Sequence, residues 1–268
     1  MQARHPAFIS RFCLKAGEID DLHPHIQRIL APNPGPMTFT GTLTYLVGHK
    51  NPVLIDPGPM MESHLQAILT ALDGRALAGI LLTHHHGDHD GLTHQLRAAT
   101  GARLLEAKPG SIWQEGEVSL QAIASPGHSA DHYCYWLADE KILFSGDHVM
   151  NWSTSMVEDM GAYMQSLEQV MALKPQLLLP GHGPERRRPG AYLRALKTHR
   201  LMRERAILVQ YQKGHHDAEL ITRNLYPDLS PGVFSGALAT TRAHLIHLAQ
   251  QGKIALESPI PTLRKIEP

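Results

Sequence analysis

The sequence predicts an α/β protein in which two sheets pack face to face and helices cover their outer faces. Short apolar runs of β-strand character alternate with segments of helical periodicity along most of the chain. Histidine or aspartate residues directly follow several of these runs, where the predicted strands end. A length of 268 residues, 43% of them hydrophobic, allows one large domain or a core domain with a small appendage.

The predicted elements follow one another in an order that suits layered sheets and helices. The chain begins with strands at 43–47 and 53–56, a helix near 62–72, a strand that ends at Thr83, and a helix that starts near Asp90. The remaining elements are strands near 118–124, 133–137 and 142–144, a helix near 160–173, a strand at 177–179, and a long helix from about Tyr192 to Lys213.

A dense group of metal-binding residue types lies directly after the apolar run 79–82. The segment that begins at Thr83 has the sequence THHHGDHDG, which places four histidines and one carboxylate within the six positions 84–89. Divalent metals accept imidazole and carboxylate ligands in such compact arrangements. A histidine-rich surface loop or a single structural zinc site is the alternative explanation of this segment taken alone.

Three later segments carry residues that could complete a metal site. His128 lies in SPGHS, Asp147 in SGDH and His182 in PGHG. Each segment follows a strand-like run and contains glycine, which lets the backbone turn sharply at a strand end. Loops from a rigid scaffold often converge on one chemical centre, so we predict that these four segments do the same.

Together these segments resemble the metallo-β-lactamase superfamily, through an HxHxDH signature followed by separate His, Asp and His loops. The resemblance implies an αββα sandwich of two mixed sheets flanked by helices. It also implies two metal ions. By position, the first ion would be held by His84, His86 and His128, and the second by Asp88, His89 and His182, while Asp147 would bridge both.

Several residues near these loops match no ligand position. His85 alternates with the ligands and is expected to point away from them. Asp56, in LIDPG, resembles the family's buried aspartate beneath the ligands, although an aspartate that starts a turn before Pro-Gly is the alternative. Trp152, in NWST, is a candidate substrate contact or a packing anchor. The remaining candidates for contacts to the ligands or to substrate are Asp131, His132 and His148.

The carboxyl-terminal part is predicted to be a small helical domain. A short helix at 217–225, a turn, a longer amphipathic helix at 234–251 and a small strand at 253–256 resemble a winged helix. A superfamily branch with this element includes a single-stranded-RNA endoribonuclease and many bacterial hydrolases. We therefore predict a catalytic domain at 1–190, and a long helix with a winged-helix-like domain at 191–268.

The net charge of zero conceals an asymmetry between the two parts of the chain. Residues 1–184 carry 11 basic and 18 acidic groups, whereas residues 185–268 carry 14 and 7. Arg186, Arg187 and Arg188 begin the basic part, and a solvated charged linker is the expected structure there. Because residues 185–268 are net positive, charge alone does not exclude a partner that carries phosphate groups.

Cysteine content and hydropathy indicate the expected compartment. Cys13 and Cys134 lie far apart and outside any CxxC spacing, which argues against a disulfide framework and against a thiolate metal site. No basic segment followed by an apolar core opens the chain, and no apolar run approaches the roughly 20 residues that span a bilayer. We expect a cytoplasmic protein without a membrane partner.

The ligand set predicts a hydrolase that uses a hydroxide bridging two metals as its nucleophile, with Asp88 and Asp147 as catalytic residues. A bridging aspartate is shared with thioesterases and phosphodiesterases of the fold, whereas zinc β-lactamases generally lack it. We favour an ester, thioester or related small-molecule acyl bond. A single-stranded-RNA endoribonuclease is the alternative, and a non-catalytic winged-helix protein that binds nucleic acid is less favoured because every ligand position is filled.

The expected cofactors and partners follow from this reading. Two divalent ions per chain are expected, with Zn²⁺ favoured and iron or manganese as alternatives. The predicted partner is a small-molecule substrate, with RNA as the alternative and a homodimer as a further expectation. The walls of the substrate pocket are expected to come from 34–42, 150–157 and 192–211.

Overall fold

The structure, a computed structural model, describes residues 6–116 and 118–256. Its first sheet has the strand order β1-β2-β3-β4-β5, and all neighbouring strands are antiparallel except β4 and β5, which are parallel. The strands are β1 (Ile19–His23), β2 (Ile26–Leu30), β3 (Leu43–Val47), β4 (Val53–Ile55) and β5 (Gly79–Leu81).

The second sheet has the order β11-β10-β9-β8-β7-β6 and is also mixed, because β9 and β10 run parallel. The other neighbouring strands of this sheet are antiparallel. Its strands are β6 (Ile112–Glu115), β7 (Val118–Ala124), β8 (Tyr133–Leu137), β9 (Ile142–Gly146), β10 (Leu177–Pro180) and β11 (Arg186–Arg187).

Helices cover the outer face of each sheet. Those packed on the first sheet are α1 (Glu62–Leu72) and α3 (Thr93–Thr100), which follows the single turn α2 (Gly87–Asp90). Those on the second sheet are α4 (Met160–Leu173), α5 (Gly190–Gln212) and, in part, α7 (Pro231–Gln250), with α6 (Ala218–Leu225) beyond them. Across the described ranges, no helix combines the length and the hydropathy needed to cross a bilayer.

Strand alternation explains how the layers are built. Tyr45 on β3 and Phe144 on β9 point into the space between the sheets, where their rings meet edge to face with centroids 5.2 Å apart. The intervening residues point outward: Leu46 packs in the cluster of α1 and α3, and Leu143 packs in the cluster of α4 and α5. This period of two gives each sheet two buried faces. The predicted αββα sandwich is confirmed.

The carboxyl-terminal helices form a small core of their own beside the second sheet. Five buried residues make up this core: Ile207, Ala218, Ile221, Leu245 and Leu248. A helical region is therefore present, but the strand predicted at 253–256 is wrong, because these residues form a bend and irregular chain. The segment 257–268 lies outside the described residues.

The prediction of a solvated linker at Arg186–Arg188 is also wrong for Arg186 and Arg187. They form β11 and pair with β10 through Leu178 and Leu177. The Arg186 guanidinium stacks 4.0 Å from the centroid of the Tyr192 ring and donates to the Oδ1 atom of Asn151 at 3.1 Å. In a solvated linker the guanidinium of Arg186 would be hydrogen-bonded to water. Here it connects the edge of the second sheet to α5.

Candidate metal centre

The four loops with candidate ligands meet at one edge of the sandwich, where backbone hydrogen bonds join them. The Tyr133 N–H donates to the Thr83 carbonyl at 2.7 Å, which ties the second sheet to the loop after β5. The Leu43 N–H donates to the Gly181 carbonyl at 2.8 Å, and the Gly181 N–H donates to Gly146 at 2.9 Å. The loops are therefore held against one another before any ligand side chain is considered.

Glycine is required at two of these turns for steric reasons. A Cβ atom on Gly181 would lie 2.7 Å from the Oδ1 atom of Asp147 and 2.7 Å from the Cε1 atom of His89. A Cβ atom on Gly127 would lie 2.4 Å from the Cα atom of Tyr163, and the φ angle of Gly127 is +135°. Any larger residue would displace the candidate ligands or helix α4.

The first group of candidate ligands consists of three imidazoles. The Nε2 atom of His84 lies 2.9 Å from the Nδ1 atom of His86, and the Nε2 atom of His128 lies 3.1 Å from that same Nδ1. The two Nε2 atoms of His84 and His128 are 3.3 Å apart. His128 is oriented from its other side, because its Nδ1 atom is 2.9 Å from the Met156 carbonyl.

The second group combines a carboxylate with two imidazoles. The Nε2 atoms of His89 and His182 are 3.3 Å apart. The Oδ2 atom of Asp88 lies 3.2 Å from the Nε2 atom of His182 and 3.7 Å from that of His89. Both histidines are buried, whereas the Asp88 side chain keeps 30% of its surface exposed. This group is therefore open to solvent on the side of Asp88.

Asp147 lies between the two groups. Its Oδ1 atom is 3.4 Å from the Nε2 atom of His182 and 3.6 Å from that of His89. Its Oδ2 atom is 3.7 Å from the Nε2 atom of His128. Oδ1 is buried and accepts no hydrogen bond from the described residues, which is costly for a carboxylate oxygen unless another group binds it.

Electrostatics separate the two groups. Burial lowers the pKa of His84 and of His128, so both imidazoles are neutral near neutral pH. Burial also opposes protonation of His89, but the carboxylates of Asp88, Asp56 and Asp147 outweigh it and raise the pKa of His89 to about 9.

His182 behaves like His89, because Asp147 and Asp88 outweigh its burial and raise its pKa well above the usual value. Burial opposes ionisation of Asp147, yet the neighbouring His182 and His89 hold the pKa of this carboxyl well below its usual range. Without metal, the carboxylate-rich group therefore keeps protons on its imidazoles. A metal ion would have to displace those protons.

Asp56 supports the second group from below. Its Oδ2 atom is 2.8 Å from the Nδ1 atom of His89 and accepts from the Thr83 hydroxyl at 2.7 Å, while Oδ1 accepts from the Thr83 N–H at 2.7 Å. Asp56 is almost fully buried and has a φ angle of +54°. This contact directs the Nε2 atom of His89 toward the candidate metal position, as a carboxylate behind a histidine ligand does.

The other predicted candidates occupy different places. His132 is buried, with its Nδ1 atom 2.8 Å from the Ser125 hydroxyl, and its Nε2 atom accepts from the Asp147 N–H at 3.2 Å. Asp131 lies on the surface and accepts from the His85 N–H at 3.1 Å. His148 is buried against the Tyr163 ring, with centroids 4.8 Å apart, and burial lowers its pKa to about 3. Its packing makes His148 part of the core under the loops.

Trp152 lies beside the second group and also lines a cavity. Its ring stacks on Phe39 with centroids 4.9 Å apart, and it packs so closely on Gly183 that a Cβ there would lie 2.6 Å from the ring. The cavity, of about 170 Å³, is lined by Met37, by residues of the segment 150–156 and by Arg200. These residues belong to the three predicted wall segments.

Sequence reasoning missed the contribution of α7 and of Tyr226 to this wall. Gly236, Ala237 and Thr240 line the cavity from α7. It also did not single out Arg200, although a signal was available. Leu193, Leu196 and Ile207 mark the buried face of α5, and Arg200 lies on that same face with only 2% of its surface exposed. A charged residue within an apolar stripe of a helix is unusual.

The donor set fits a metal ion. Zn²⁺ holds imidazole nitrogens at about 2.0–2.1 Å, which places two such nitrogens about 3.3 Å apart in tetrahedral geometry. The three nitrogens of the first group are separated by 2.9, 3.1 and 3.3 Å. Within the described residues, three triads have ligand atoms close enough to share an ion: His84, His86 and His128; His84, His89 and Asp147; and Asp88, His89 and His182.

Comparison with known proteins agrees with this fold and donor set. The family model described as "Metallo-beta-lactamase superfamily" matches residues 37–113 and 107–182. These two matches cover the four ligand-bearing loops and more than half of the chain. The chain belongs to the metallo-beta-lactamase superfamily, a family of metal-dependent hydrolases, as the HxHxDH resemblance predicted.

Curated relatives extend the similarity beyond the sandwich. The chain is 32% identical over 260 residues to "Beta-lactamase-like protein 2 homolog" of Caenorhabditis elegans, which covers 88% of each chain. It is 30% identical over 272 residues to "Atrochrysone carboxyl ACP thioesterase dmxR1" of Cryptosporiopsis sp. (strain 8999), covering 90% of this chain and 84% of that protein. An alignment with "Lactamase-like protein aptB" of Emericella nidulans spans only 58% of that relative's length.

A solved structure shows the same overall fold. A beta-lactamase domain protein from Burkholderia ambifaria superposes with a TM-score of 0.80 at 20% identity, covering 90% of each chain. This coverage exceeds the sandwich alone, so at least part of the helical region after it belongs to a fold seen elsewhere.

Proposed function

We propose that this protein is a dinuclear metal-dependent hydrolase that cleaves an ester, a thioester or a related acyl bond. The observation that carries the proposal is the position of Asp147. One of its oxygens faces His182 and His89 at 3.4 and 3.6 Å, and the other faces His128 at 3.7 Å. A carboxylate placed in this way can bridge two ions, one in each ligand group.

Different residues of the chain would have different roles in such a site. Two divalent ions bound there would lower the pKa of water and would stabilise negative charge on a carbonyl oxygen. His84, His86 and His128 would hold the first ion, and Asp88, His89 and His182 the second. Asp88 is the more exposed of the two ligand carboxylates and is placed to orient the attacking water. Asp56 keeps His89 directed at its ion.

An acyl substrate is supported by the relatives and by the cavity. One relative that aligns over 90% of this chain carries the name of an acyl carrier protein thioesterase. Part of the cavity wall beside the site is apolar, and it includes Met37, Met150 and Met156. Methionine side chains adapt to apolar ligands of varied shape. An acyl chain would bury apolar surface there.

Single-stranded RNA is the alternative substrate, but α7, the longer helix of the predicted winged-helix-like domain, is largely enclosed. Eight residues of α7 are buried, and they include His244. The ring of His244 lies 3.6 Å from a carboxylate oxygen of Glu204 on α5. A helix enclosed in this way presents little surface for contact with a nucleic acid.

Zn²⁺ is the ion that we propose for the site, because its donor set is rich in imidazole. Iron and manganese are the other ions that such a set accepts. Metal analysis of the purified, metal-replete protein is expected to give two ions per chain. A stoichiometry fixed at one would remove the dinuclear mechanism.

The function is tested by parallel assays on acyl thioesters, esters and a labelled single-stranded RNA. Asp147→Ala is expected to abolish acyl hydrolysis and to lower the metal content, with the circular dichroism spectrum unchanged, because it removes the bridge and not the scaffold. Asp90→Ala is the matched control: Asp90 is an aspartate of the loop that carries His84, His86, Asp88 and His89, but it pairs with the exposed His85. RNA cleavage that weakens as salt rises and disappears in Asp147→Ala, without acyl turnover, would establish the alternative.

A further inference from the structure

Arg200 is a buried cation without a carboxylate partner. It projects from α5, keeps 2% of its surface exposed, and lines the cavity beside the metal centre. Its Nη2 atom donates to the Ser155 carbonyl at 2.6 Å, and its guanidinium lies 5.0 Å from the centroid of the Tyr163 ring. Across the described ranges, no ion pair joins Arg200 to an acidic side chain. The charge of Arg200 is therefore compensated only in part.

The nearest acidic residue along α5 is already engaged. Glu204, one turn further along the helix, faces His244, His247 and Lys253 at 3.6, 3.9 and 3.4 Å. Moving an unpaired guanidinium out of water is costly, and its Nε atom is buried without any acceptor. A buried polar group without a partner in the chain is a candidate for contact with a bound ligand.

A second donor on the cavity wall also lacks an acceptor. The Nε1 atom of Trp152 is buried and, among the described residues, donates to nothing. Trp152 and Arg200 both line the same cavity. Two buried donors without acceptors suit a ligand that brings acceptor atoms to the cavity. A carboxylate meets this requirement, because it accepts several hydrogen bonds and donates none when ionised.

The cavity is coupled to the metal centre through two adjacent residues. The Ser155 carbonyl binds Arg200, and the next carbonyl along the chain, that of Met156, faces the Nδ1 atom of the candidate ligand His128 at 2.9 Å. The guanidinium of Arg200 and the imidazole of His128 therefore contact neighbouring residues of one short segment. This segment connects the wall of the cavity to a candidate ligand.

The size and charge of the cavity define the ligand class. The volume of about 170 Å³ is smaller than the roughly 300–1,000 Å³ of pockets for drug-sized ligands, so the cavity suits a short chain. Arg200 is the one charged residue among the described residues that line it, and the rest of the wall combines methionine, valine and leucine with serine and threonine. A single cation among uncharged residues suits one negative charge at the end of a short chain, whereas a phosphate dianion would require further cations.

We propose that Arg200 binds the distal carboxylate of the acyl group, so that the substrates are monoesters or monothioesters of short dicarboxylic acids. This inference rests on the proposed acyl hydrolysis. The acyl chain lies along the methionine-lined wall, its carboxylate meets the guanidinium, and the bond to be hydrolysed lies at the metal centre. Arg200 acts as a substrate-binding residue and takes no part in bond cleavage.

The test compares matched acyl groups in the metal-loaded protein. Succinyl, glutaryl and adipoyl thioesters of N-acetylcysteamine are assayed beside their distal methyl esters, which have almost the same shape and no charge. The wild-type protein is expected to favour the charged member in kcat/KM. Arg200→Met is expected to reduce this preference by about 30-fold or more, the lower end of the effect of removing one partner of a buried charge pair. Arg200→Lys is expected to restore part of it.

Lys197→Met is the matched control, because it removes a positive charge from the same helix. Lys197 pairs with Glu168 and lies outside the lining of the cavity. It is expected to keep the preference for the charged substrate. An equal loss of preference in Lys197→Met would mean that net charge, and not the buried guanidinium, sets the preference, and would overturn the proposal.

A binding measurement keeps the inference separate from the proposed hydrolysis. Glutarate and butyrate each offer one carboxylate to the metals, but only glutarate offers a second one to Arg200. Glutarate is expected to raise the melting temperature of the metal-loaded protein more than butyrate does, and Arg200→Met is expected to remove this difference. If no acyl substrate is cleaved but the difference is present, the hydrolysis fails and the carboxylate site stands. Equal effects of the two acids on the wild-type protein, or equal cleavage of charged and neutral thioesters, would refute the carboxylate site.

Discussion

The sequence alone allows two different roles for Asp56. The segment LIDPG suits either a turn-initiating aspartate or a carboxylate placed under the metal ligands. In the structure both carboxylate oxygens are used, by Thr83 and by His89, and the side chain is 2% exposed. The hydrogen bond to His89 fixes which ring nitrogen is free to bind an ion. Asp56 therefore orients a candidate ligand.

We predict that Asp56→Asn weakens metal binding. The neutral amide can still accept one hydrogen bond, but it no longer stabilises the Nδ1–H of His89 with a full negative charge. Residues that support metal ligands in this way typically change affinity by 10–100-fold, and we expect a loss in that range. Competition with a chromophoric chelator measures it. Unchanged affinity in a folded variant would show that Asp56 acts only on the turn.

His64 is predicted to make the protein less stable in mild acid. It is fully buried, its Nε2 atom is 2.8 Å from the Thr44 hydroxyl, and burial lowers its pKa to about 4. The unfolded chain takes up a proton near pH 6.5, whereas the folded chain does so only near pH 4. The contribution of neutral His64 is therefore complete above about pH 6.5 and is lost as the pH falls below it.

This contribution amounts to about 2 kcal/mol between pH 7 and pH 5. Urea unfolding of the metal-free protein at both values measures the change, with His64→Asn as the comparison. The variant is expected to be less stable at pH 7 but to lose less on acidification. An identical loss in both proteins would assign the acid sensitivity to other groups.

The sequence predicts the bounds of strongly periodic helices to within a few residues. It does not predict the strands that form only because a neighbouring strand pairs with them. The bounds of α1 and α4 match the predicted helices, because their apolar residues repeat at helical spacing. Strand β1 has the sequence IDDLH, and β11 consists of two arginines, so neither has a strand-like apolar pattern. Both exist because a neighbouring strand offers its edge. Such pairing depends on residues distant in sequence.

Helix α7 provides a direct test of the cavity. A Cβ atom on Gly236 would lie 3.3 Å from the Cε atom of Met37 and 3.8 Å from the Cγ atom of Met156, both on flexible side chains. We predict that Gly236→Leu folds and partly fills the cavity. The ratio of kcat/KM for six-carbon to two-carbon acyl groups is expected to fall by about tenfold, since burial of each methylene contributes about 0.8 kcal/mol.

The exposed neighbour Ser235 supplies the matched control for that variant. Ser235→Leu adds the same side chain to the same helix without entering the cavity, and it is expected to leave the chain-length ratio unchanged. A fall in both variants would indicate an effect on α7 as a whole, and no fall in Gly236→Leu would show that acyl chains bind elsewhere.

At the scale of the whole molecule, the carboxyl-terminal helices are joined to the sandwich by a buried interface. Ala243 on α7 packs in the core beneath the second sheet, together with Tyr163 and Leu196. The hydroxyl of Thr240 accepts a hydrogen bond from the Val157 N–H at 3.2 Å, in a wall segment of the cavity. The predicted boundary near residue 190 therefore separates regions that share a core.

We predict that deletion of 214–268 lowers solubility and alters substrate preference more than it alters metal content. All seven candidate ligands lie between His84 and His182, and they are held by loops of the two sheets. The deletion removes α6 and α7. It therefore exposes to water the residues that these helices cover, which include Ile207, Val157 and the residues that pack against Ala243. Metal analysis of the soluble fraction, with acyl-chain profiling, measures both effects. Loss of both ions would show that the ligand loops depend on α6 and α7.

The sequence by itself determined the ligand types, their spacing, the glycines beside them and the alternation of strands and helices, because these are local properties. The tertiary structure decided what faces the site from far along the chain: Asp56 behind His89, the cavity wall from α7, and the buried charge of Arg200. Such contacts arise when surfaces with no sequence pattern in common pack together. Their geometry depends on the whole core, so no segment taken alone could predict them.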